Sequence, residues 1–519
     1  MNKRKSITIV VMLLLFSLAG ISFAKLSEKK SDAVDSKIVD SSVGMTEIPE
    51  DGMVDDSFTS HLPLVVLDLE EQEIPVAYKY DSDKEILVPI DGIDPYVCGN
   101  VYLYAGKDIN SLNDAPQVSS GMHVKYRGNS SLFYDKKQYK LELLDENGAK
   151  KDENLLGMGE DSDWILNISM SDKSLLRNYL AYNVAGEIDP FTPDVQYCEV
   201  LIKKGDKYEY EGLYLLCESI KVSKDRVDIS RYNKDGLSSF LVKRDRYDEE
   251  AVILDTWATE QGLTYGYLSL EYPRREKLSA DSVKNIQDNI NQAEKVIYSD
   301  DKRILDTYPD YIDETSFVDY FLINEFFGNY DAGNNSTYMY AELNGKIHIG
   351  PVWDFDGAMD NYLDAMADDD KIAFQSRAWF ERLIDSDRFL IALQKRYAQL
   401  LKGSFDKKHI NKIIDDALVY MGNARLRDYS RWHKSYDEYK LVNSEDEFGI
   451  YVDRNGYTYD EEVQKLRDYV SVHSEAVNKE LSNYGNHNLY VSSLGKYGNF
   501  ACLFIVFFLC SVIIVRRKA

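Results

Sequence analysis

The spacing of the apolar residues changes once along the chain, and that change restricts the fold more than any composition figure. From Leu62 onward, short apolar or alternating runs punctuated by Gly, Asn and Asp recur: LPLVVLDL, ILVPI, VYLYAG, MHVKYRG, QYKLELL and DWILNIS. A period of two, bounded by turn residues, marks strands. One helical stretch interrupts them at residues 173–185, KSLLRNYLAYNVA, with Leu175, Leu176, Tyr179, Leu180 and Val184 on one face and Asp172 placed as its cap. A hairpin follows in QYCEVLIKKGDKYEYEGLYLLCES, turning at Lys204-Gly205-Asp206. After residue 280 helices dominate, in VKNIQDNINQAEKVIYS, ETSFVDYFLINEFFGN and amphipathic segments through 380–480. Strands first and helices second imply an α+β chain of two lobes, 62–280 and 281–485, with the cleft between them as the default site. No internal repeat and no Gly-rich phosphate loop of the P-loop or dinucleotide type occurs.

The two ends read as targeting segments. MNKRK followed by ITIVVMLLLFSLAGISFA, closing on Ser22-Phe23-Ala24, has the form of a signal peptide over residues 1–24. Residues 25–61, rich in Ser, Asp, Glu and Lys, read as a disordered spacer. Residues 486–498 form a linker to NFACLFIVFFLCSVIIV, 499–515, which reads as a transmembrane helix followed by a positive cytoplasmic tail, 516–519. The expectation is a single-pass protein exported to the cell surface. Three cysteines, Cys98, Cys198 and Cys217, remain for the ectodomain, so a large core and not a disulfide framework must hold it. Cys198 and Cys217 can face each other across the hairpin, as two buried thiols or as a disulfide. With 61 Lys and Arg against 88 Asp and Glu, the net charge of −27 argues against non-specific binding of nucleic acid or anionic lipid. A bound polyanion would need a metal bridge and a few focused cations.

The chemistry concentrates around one turn. Asn344-Gly345 between alternating runs is a strong hairpin signal. Asn335 lies nine residues before Asn344 and Asp354 nine after Gly345, so the hairpin returns Asp354 beside Asn335 and Asp331. Two carboxylates and an amide converging from two loops suit Mg²⁺, which takes one or two protein carboxylates and completes its shell with water and phosphate oxygens. Asp356, in Asp354-Phe355-Asp356-Gly357, either joins them or caps the next segment of chain. Taken singly, each loop has an ordinary reading as turn chemistry.

YRGNSS (126–131), KKQYKLEL (136–143), DKSLLRNYLAYNVA, EGLYLLCES and GPVWDFDGAMDN (350–361), in that order, resemble the spore coat CotH kinase family of atypical secreted protein kinases. The resemblance runs from Leu62 to the 360s and onward into the helical part. It implies a divergent bilobal protein-kinase-like fold, ATP with Mg²⁺ or Mn²⁺, and phosphorylation of Ser or Thr on exported or cell-surface proteins. Position by position, Asp331 matches the catalytic aspartate and Asp354 the metal-binding aspartate of the WDFD motif. Asn335, or Asn334 in the alternative register, becomes the second metal ligand, and Lys140 the partner of the nucleotide phosphates, with Lys136 and Lys137 as rivals. The chain has no GxGxxG loop and no His-Arg-Asp, and Asn335 follows Asp331 by four residues where kinases have five. Arg127 with the Gly128–Ser131 turn is a candidate phosphate cradle, or an ordinary turn. Glu218 would orient Lys140, or pair with Arg177 as a structural bridge. A rival from another class is a surface adhesion or scaffold protein that keeps a divalent ion, with the acidic run Asp368-Asp369-Asp370, and transfers nothing.

Overall fold

The computed structural model describes residues 47–81, 86–168, 170–232, 239–263, 266–363, 377–442, 444–445 and 451–483, together with Ile372 and Phe374. Seven strands make a closed barrel: β1 (Leu64–Asp68), β2 (Val97–Tyr104), β3 (Val118–Arg127), β4 (Gln138–Leu144), β5 (Asp163–Asn167), β6 (Val195–Lys204) and β7 (Lys207–Glu218). Around the ring the order is β7-β5-β4-β3-β2-β1-β6, and β6 pairs again with β7. All neighbours are antiparallel except β1 and β6, where Val65 stands opposite Val200 in a parallel pair. Strand alternation sends one side chain in two inward. Val65, Val101, Leu103, Leu141, Leu143 and Leu216 meet inside the ring. On β4 the other set, Gln138, Lys140 and Glu142, faces outward.

This ring replaces the expected bilobal kinase-like fold. The strands were legible, but closure is decided by β7, which pairs with β5 on one side and β6 on the other. Among the described residues no helix is long and apolar enough to cross a membrane, and the expected anchor at 499–515 lies outside them, as does the leader at 1–24. Part of the expected spacer is ordered. Met53–Val54 adds to the outside of β7, because Ile48, Val54 and Phe58 bury against Leu64, Val66, Leu201 and Tyr210.

A second, antiparallel sheet holds five strands: β8 (Phe240–Asp245), β9 (Ile253–Leu254), β10 (Tyr267–Tyr272), β11 (Thr337–Ala341) and β12 (Ile347–Ile349), in the order β9-β10-β8-β11-β12. It therefore joins strands from both sides of residue 280. Among the described residues the helices of ten or more residues are α1 (Arg177–Gly186), α2 (Ala280–Ile297), α3 (Glu314–Phe326), α4 (Asp387–Leu400), α5 (Lys407–Met421), α6 (Ala424–Glu438) and α7 (459–483). Every residue of α3 from Phe317 to Phe326 is buried, and the polar ones among them are met by partners, Asp319 by Arg396, Asn324 by Asn329 and Glu325 by His473. It is surrounded by an aromatic cluster in which Phe321 meets Phe374, Phe380 and Phe389 edge-on.

Candidate active site

Asp331 sits in the loop between α3 and β11. The loop is fixed by Thr337, whose hydroxyl accepts from the Gly333 N–H at 2.7 Å and donates to the Asn335 carbonyl at 2.8 Å. The expected hairpin forms, with Met339 opposite Ile349 and Ala341 opposite Ile347, and Asn344 adopts a φ of +55° in its turn. It returns Asp354 to the Asp331 loop as the nine-and-nine spacing requires. The Ser336 hydroxyl donates to Asp354 Oδ2 at 3.2 Å, while Asn335 Nδ2 donates to Asp331 Oδ1 at 3.3 Å. Ser336 and Asp354 both have positive φ, +47° and +67°, a conformation that costs non-glycine residues energy and is retained where the surroundings enforce it.

For Asp354 that enforcement comes from α1. The Asp354 N–H donates to the Tyr182 hydroxyl at 3.1 Å and the Phe355 N–H to Asn178 Oδ1 at 2.8 Å. Trp353 stacks on Tyr182 with ring centroids 5.5 Å apart, and Phe355 meets the same ring edge-on. Asn178 and Tyr182 are four residues apart, one turn of helix, so both reach the same strip of backbone. Sequence patterning does not single out either residue, since α1 also carries Arg177 and Asn183; the one signal is the four-residue spacing of Asn178 and Tyr182. α1 starts at Arg177, with Leu176 in the N-cap position, but Asp172 still serves its first turn by accepting the Arg177 N–H on Oδ2 at 2.8 Å. Its Oδ1 binds the Arg177 guanidinium at 2.5 Å, both side chains fully buried. Arg177 Nε in turn donates to the Ala358 carbonyl, just past WDFD, at 2.9 Å.

Three carboxyls gather here. Asp354 and Asp356 stand within hydrogen-bond reach of each other, and Ser171 Oγ donates to Asp356 Oδ2 at 3.1 Å. Burial first, and then the Asp354 charge, raise the Asp356 pKa well above the carboxylate range. Burial and Asp354 likewise raise Asp331, against the pull of the Asn335 hydrogen bond and of Arg246 and Arg377. Carboxylates this close need a shared proton or a cation between them. Among the described residues no group of three or more His, Cys, Asp or Glu is arranged as a metal cage. The donor set of Asp354, Asp356 and Asn335 nevertheless fits Mg²⁺, a hard ion that keeps several waters and phosphate oxygens of its own.

The barrel presents its outer face to this cluster. Arg127, the last residue of β3, lies 5.5 Å from the Trp353 ring centroid and donates from Nη1 to Gln138 Oε1 at 2.8 Å. Gln138 Oε1 also accepts from Asn167, and Asn167 from Asn178, so a line of amides joins Arg127 to the helix that holds WDFD. Facing it, the second sheet offers Lys243 and Tyr338, register partners on β8 and β11. Tyr338 feels Lys243 and Glu271 on its own sheet and Arg127 across from it. Lys243 is paired with Asp245 at 2.5 Å. Lys140 is on the outward face, held by Glu142 at 3.3 Å, and is one-third exposed. Glu218 neither orients Lys140 nor pairs with Arg177. Its carboxylate takes Arg226 Nη1 at 2.7 Å and the Asp194 N–H at 2.9 Å, because a buried carboxylate accepts the nearest fixed guanidinium, and Arg226 is only eight residues along the chain. Of the rival lysines, Lys136 is sealed against Asp428 and Lys137 donates to the Leu132 carbonyl. Cys198 and Cys217 are buried free thiols.

The residues thus brought together, from Arg127 to Asp356, lie inside a single stretch matched by one protein family: the family model described as CotH kinase protein matches residues 124–477, from within β3 to within α7. The search of curated proteins gave no match. The matched stretch is more than half of the chain and contains every one of the converging carboxyls, and on that ground the chain belongs to the CotH kinase family.

Proposed function

We propose that this protein transfers the γ-phosphoryl group of ATP to a Ser or Thr hydroxyl of an exported protein. The observation that carries the reading is the convergence of Asp331, Asn335 and Asp354 at the mouth of the β11–β12 hairpin, tied together through Ser336. Asp331 takes the acceptor hydroxyl: its carboxyl lies in a half-buried loop beside Asp354 and is oriented by Asn335. Asp354, with Asp356 and Asn335, holds the divalent ion, which when bound neutralises charge on the β- and γ-phosphates. Arg127 and Lys243 flank the cleft from its two walls and face the phosphate chain. Lys140, already engaged by Glu142, steadies the outer wall. Positioning and fixed charge supply most of the rate in phosphoryl transfer, so a preorganised loop matters more than a strong base. The basic start and apolar run of residues 1–24 support export of the body of the chain.

The test uses the purified protein with Mg²⁺ or Mn²⁺, labelled ATP and a mixed library of Ser and Thr peptides. Asp354→Asn and Asp331→Asn are each expected to lower transfer by about a hundredfold or more while the melting temperature is kept. Wild-type levels of transfer by either variant would overturn the assignment.

A further inference from the structure

The Asp331 loop has a cation packed against it that neither its turn nor the hairpin accounts for. Arg377 enters beside α3 with its backbone fixed, its N–H donating to the Phe374 carbonyl at 3.1 Å and its carbonyl accepting from the Phe380 N–H at 2.9 Å. Its side chain runs along the loop itself. A Cβ placed on Gly333 would meet Arg377 Cβ at 2.7 Å, so glycine, with its φ of +91°, is what lets the arginine stem lie so close. The guanidinium then sits over the Tyr330 ring, 5.9 Å from its centroid, one residue before Asp331. Its Nε is buried and has no hydrogen-bond partner among the described residues. A planar donor fork placed beside the Tyr330 ring, with an N–H to spare, suits an anion bearing two oxygens.

We infer that Arg377 is a catalytic residue that binds the phosphoryl group in flight between ATP and the acceptor hydroxyl. The inference rests on the kinase reading above. In that reaction the bond from the γ-phosphorus to the β-bridging oxygen breaks, and its electron pair leaves with ADP. The bond from the acceptor oxygen to phosphorus forms, and the hydroxyl proton passes to the Asp331 carboxylate. Negative charge on the non-bridging oxygens therefore arrives next to Asp331, where Arg377 already lies. An arginine in this role speeds transfer by stabilising the transition state, not by holding ATP.

The experiment compares wild type with Arg377→Ala and Arg377→Lys, each checked for an unchanged melting temperature. It measures kcat and KM for ATP with the peptide library, and binding of ADP alone and of ADP with aluminium fluoride, a mimic of the transferring group. Both variants are expected to lose about a hundredfold or more in kcat with KM for ATP and ADP affinity within about twofold. Affinity for the ADP–aluminium fluoride complex falls in step with kcat, and ethylguanidinium restores part of the Ala variant's rate. Undiminished kcat in the Ala variant, or equal losses of ADP and ADP–aluminium fluoride binding, overturns the role. Absence of transfer by wild type on every acceptor overturns the kinase reading instead, which the Asp354→Asn comparison separates from a failure of Arg377 alone.

Discussion

The Lys136 ammonium and the Asp428 carboxylate meet at 2.5 Å with both side chains sealed from water, joining the entry to β4 with α6. Asp428 Oδ1 also accepts the Leu213 N–H and Oδ2 the Tyr436 hydroxyl, while Lys136 donates to the Leu213 carbonyl. The close approach needs Gly212, since a Cβ there would collide with Asp428 Oδ1. Two residues beyond Lys136 is Gln138, which holds Arg127.

Removing one partner of such a pair leaves a buried charge uncompensated. Asp428→Ala is expected to cost about 3–5 kcal/mol, measured as a loss of stability in urea unfolding. A loss below about 1 kcal/mol would show the pair to be no stronger than a surface one.

The Tyr182 hydroxyl accepts the Asp354 N–H. Tyr182→Phe keeps the ring stacked on Trp353 but strands that amide, a cost of about 1–3 kcal/mol. Because Asp354 sits at positive φ, relaxation there moves its carboxylate. The expected result is a fall in kcat of about tenfold or more alongside a small drop in melting temperature. Unchanged kcat would mean that α1 does not set the Asp354 geometry.

Gln138→Leu cuts the line of amides between Arg127 and Asn178. Arg127 then loses one charge-assisted hydrogen bond, and KM for ATP is expected to rise by about tenfold with little change in kcat. Titration with a fluorescent ATP analogue checks this directly.

Glu211 gives a pH signature. Its carboxyl is buried and accepts from the Tyr139 hydroxyl at 2.9 Å. Burial raises its pKa above the ordinary 4.5, the Tyr139 bond opposes the rise, Glu209 adds to it, and Arg431 and Lys136 work against it. A carboxyl raised on folding supports the fold fully below its unfolded pKa, and that support is lost as pH rises through the folded pKa. Glu211→Gln removes the ionisation while keeping an oxygen for Tyr139. The gain in melting temperature of the variant over wild type should therefore be larger at about pH 8 than at about pH 4. Equal differences at both pH values would count against a strained carboxyl.

What the sequence disclosed and what it withheld divide by distance along the chain. The β11–β12 hairpin follows from Asn344-Gly345 and its alternating flanks, and with it the meeting of Asp331, Asn335 and Asp354, because all of that geometry is local. The barrel was hidden because closure needs two non-local pairings, β7 beside β5 and β1 parallel to β6, with Leu64 beside Glu199, and no period in these strands names a neighbour. Lys140 and Glu218 failed as a pair for a related reason. Alternation places Lys140 on the outer face beside Glu142 of its own strand, but which carboxylate it meets across strands is settled by register, and register gave it Asp163. Arg377 and Lys243 carry no motif, and only their approach to the cleft in three dimensions sets them apart from other cations.

Each strand of the seven-membered ring has a partner on both sides, and where β7 takes a further strand, at Tyr208 and Glu209, the chain's own Met53–Val54 fills the place. Little of the ring's main chain is left to recruit an extended acceptor polypeptide by strand augmentation. Recognition on that wall falls to side chains, which lets acceptor choice drift by substitution at the rim while the barrel backbone stays as it is.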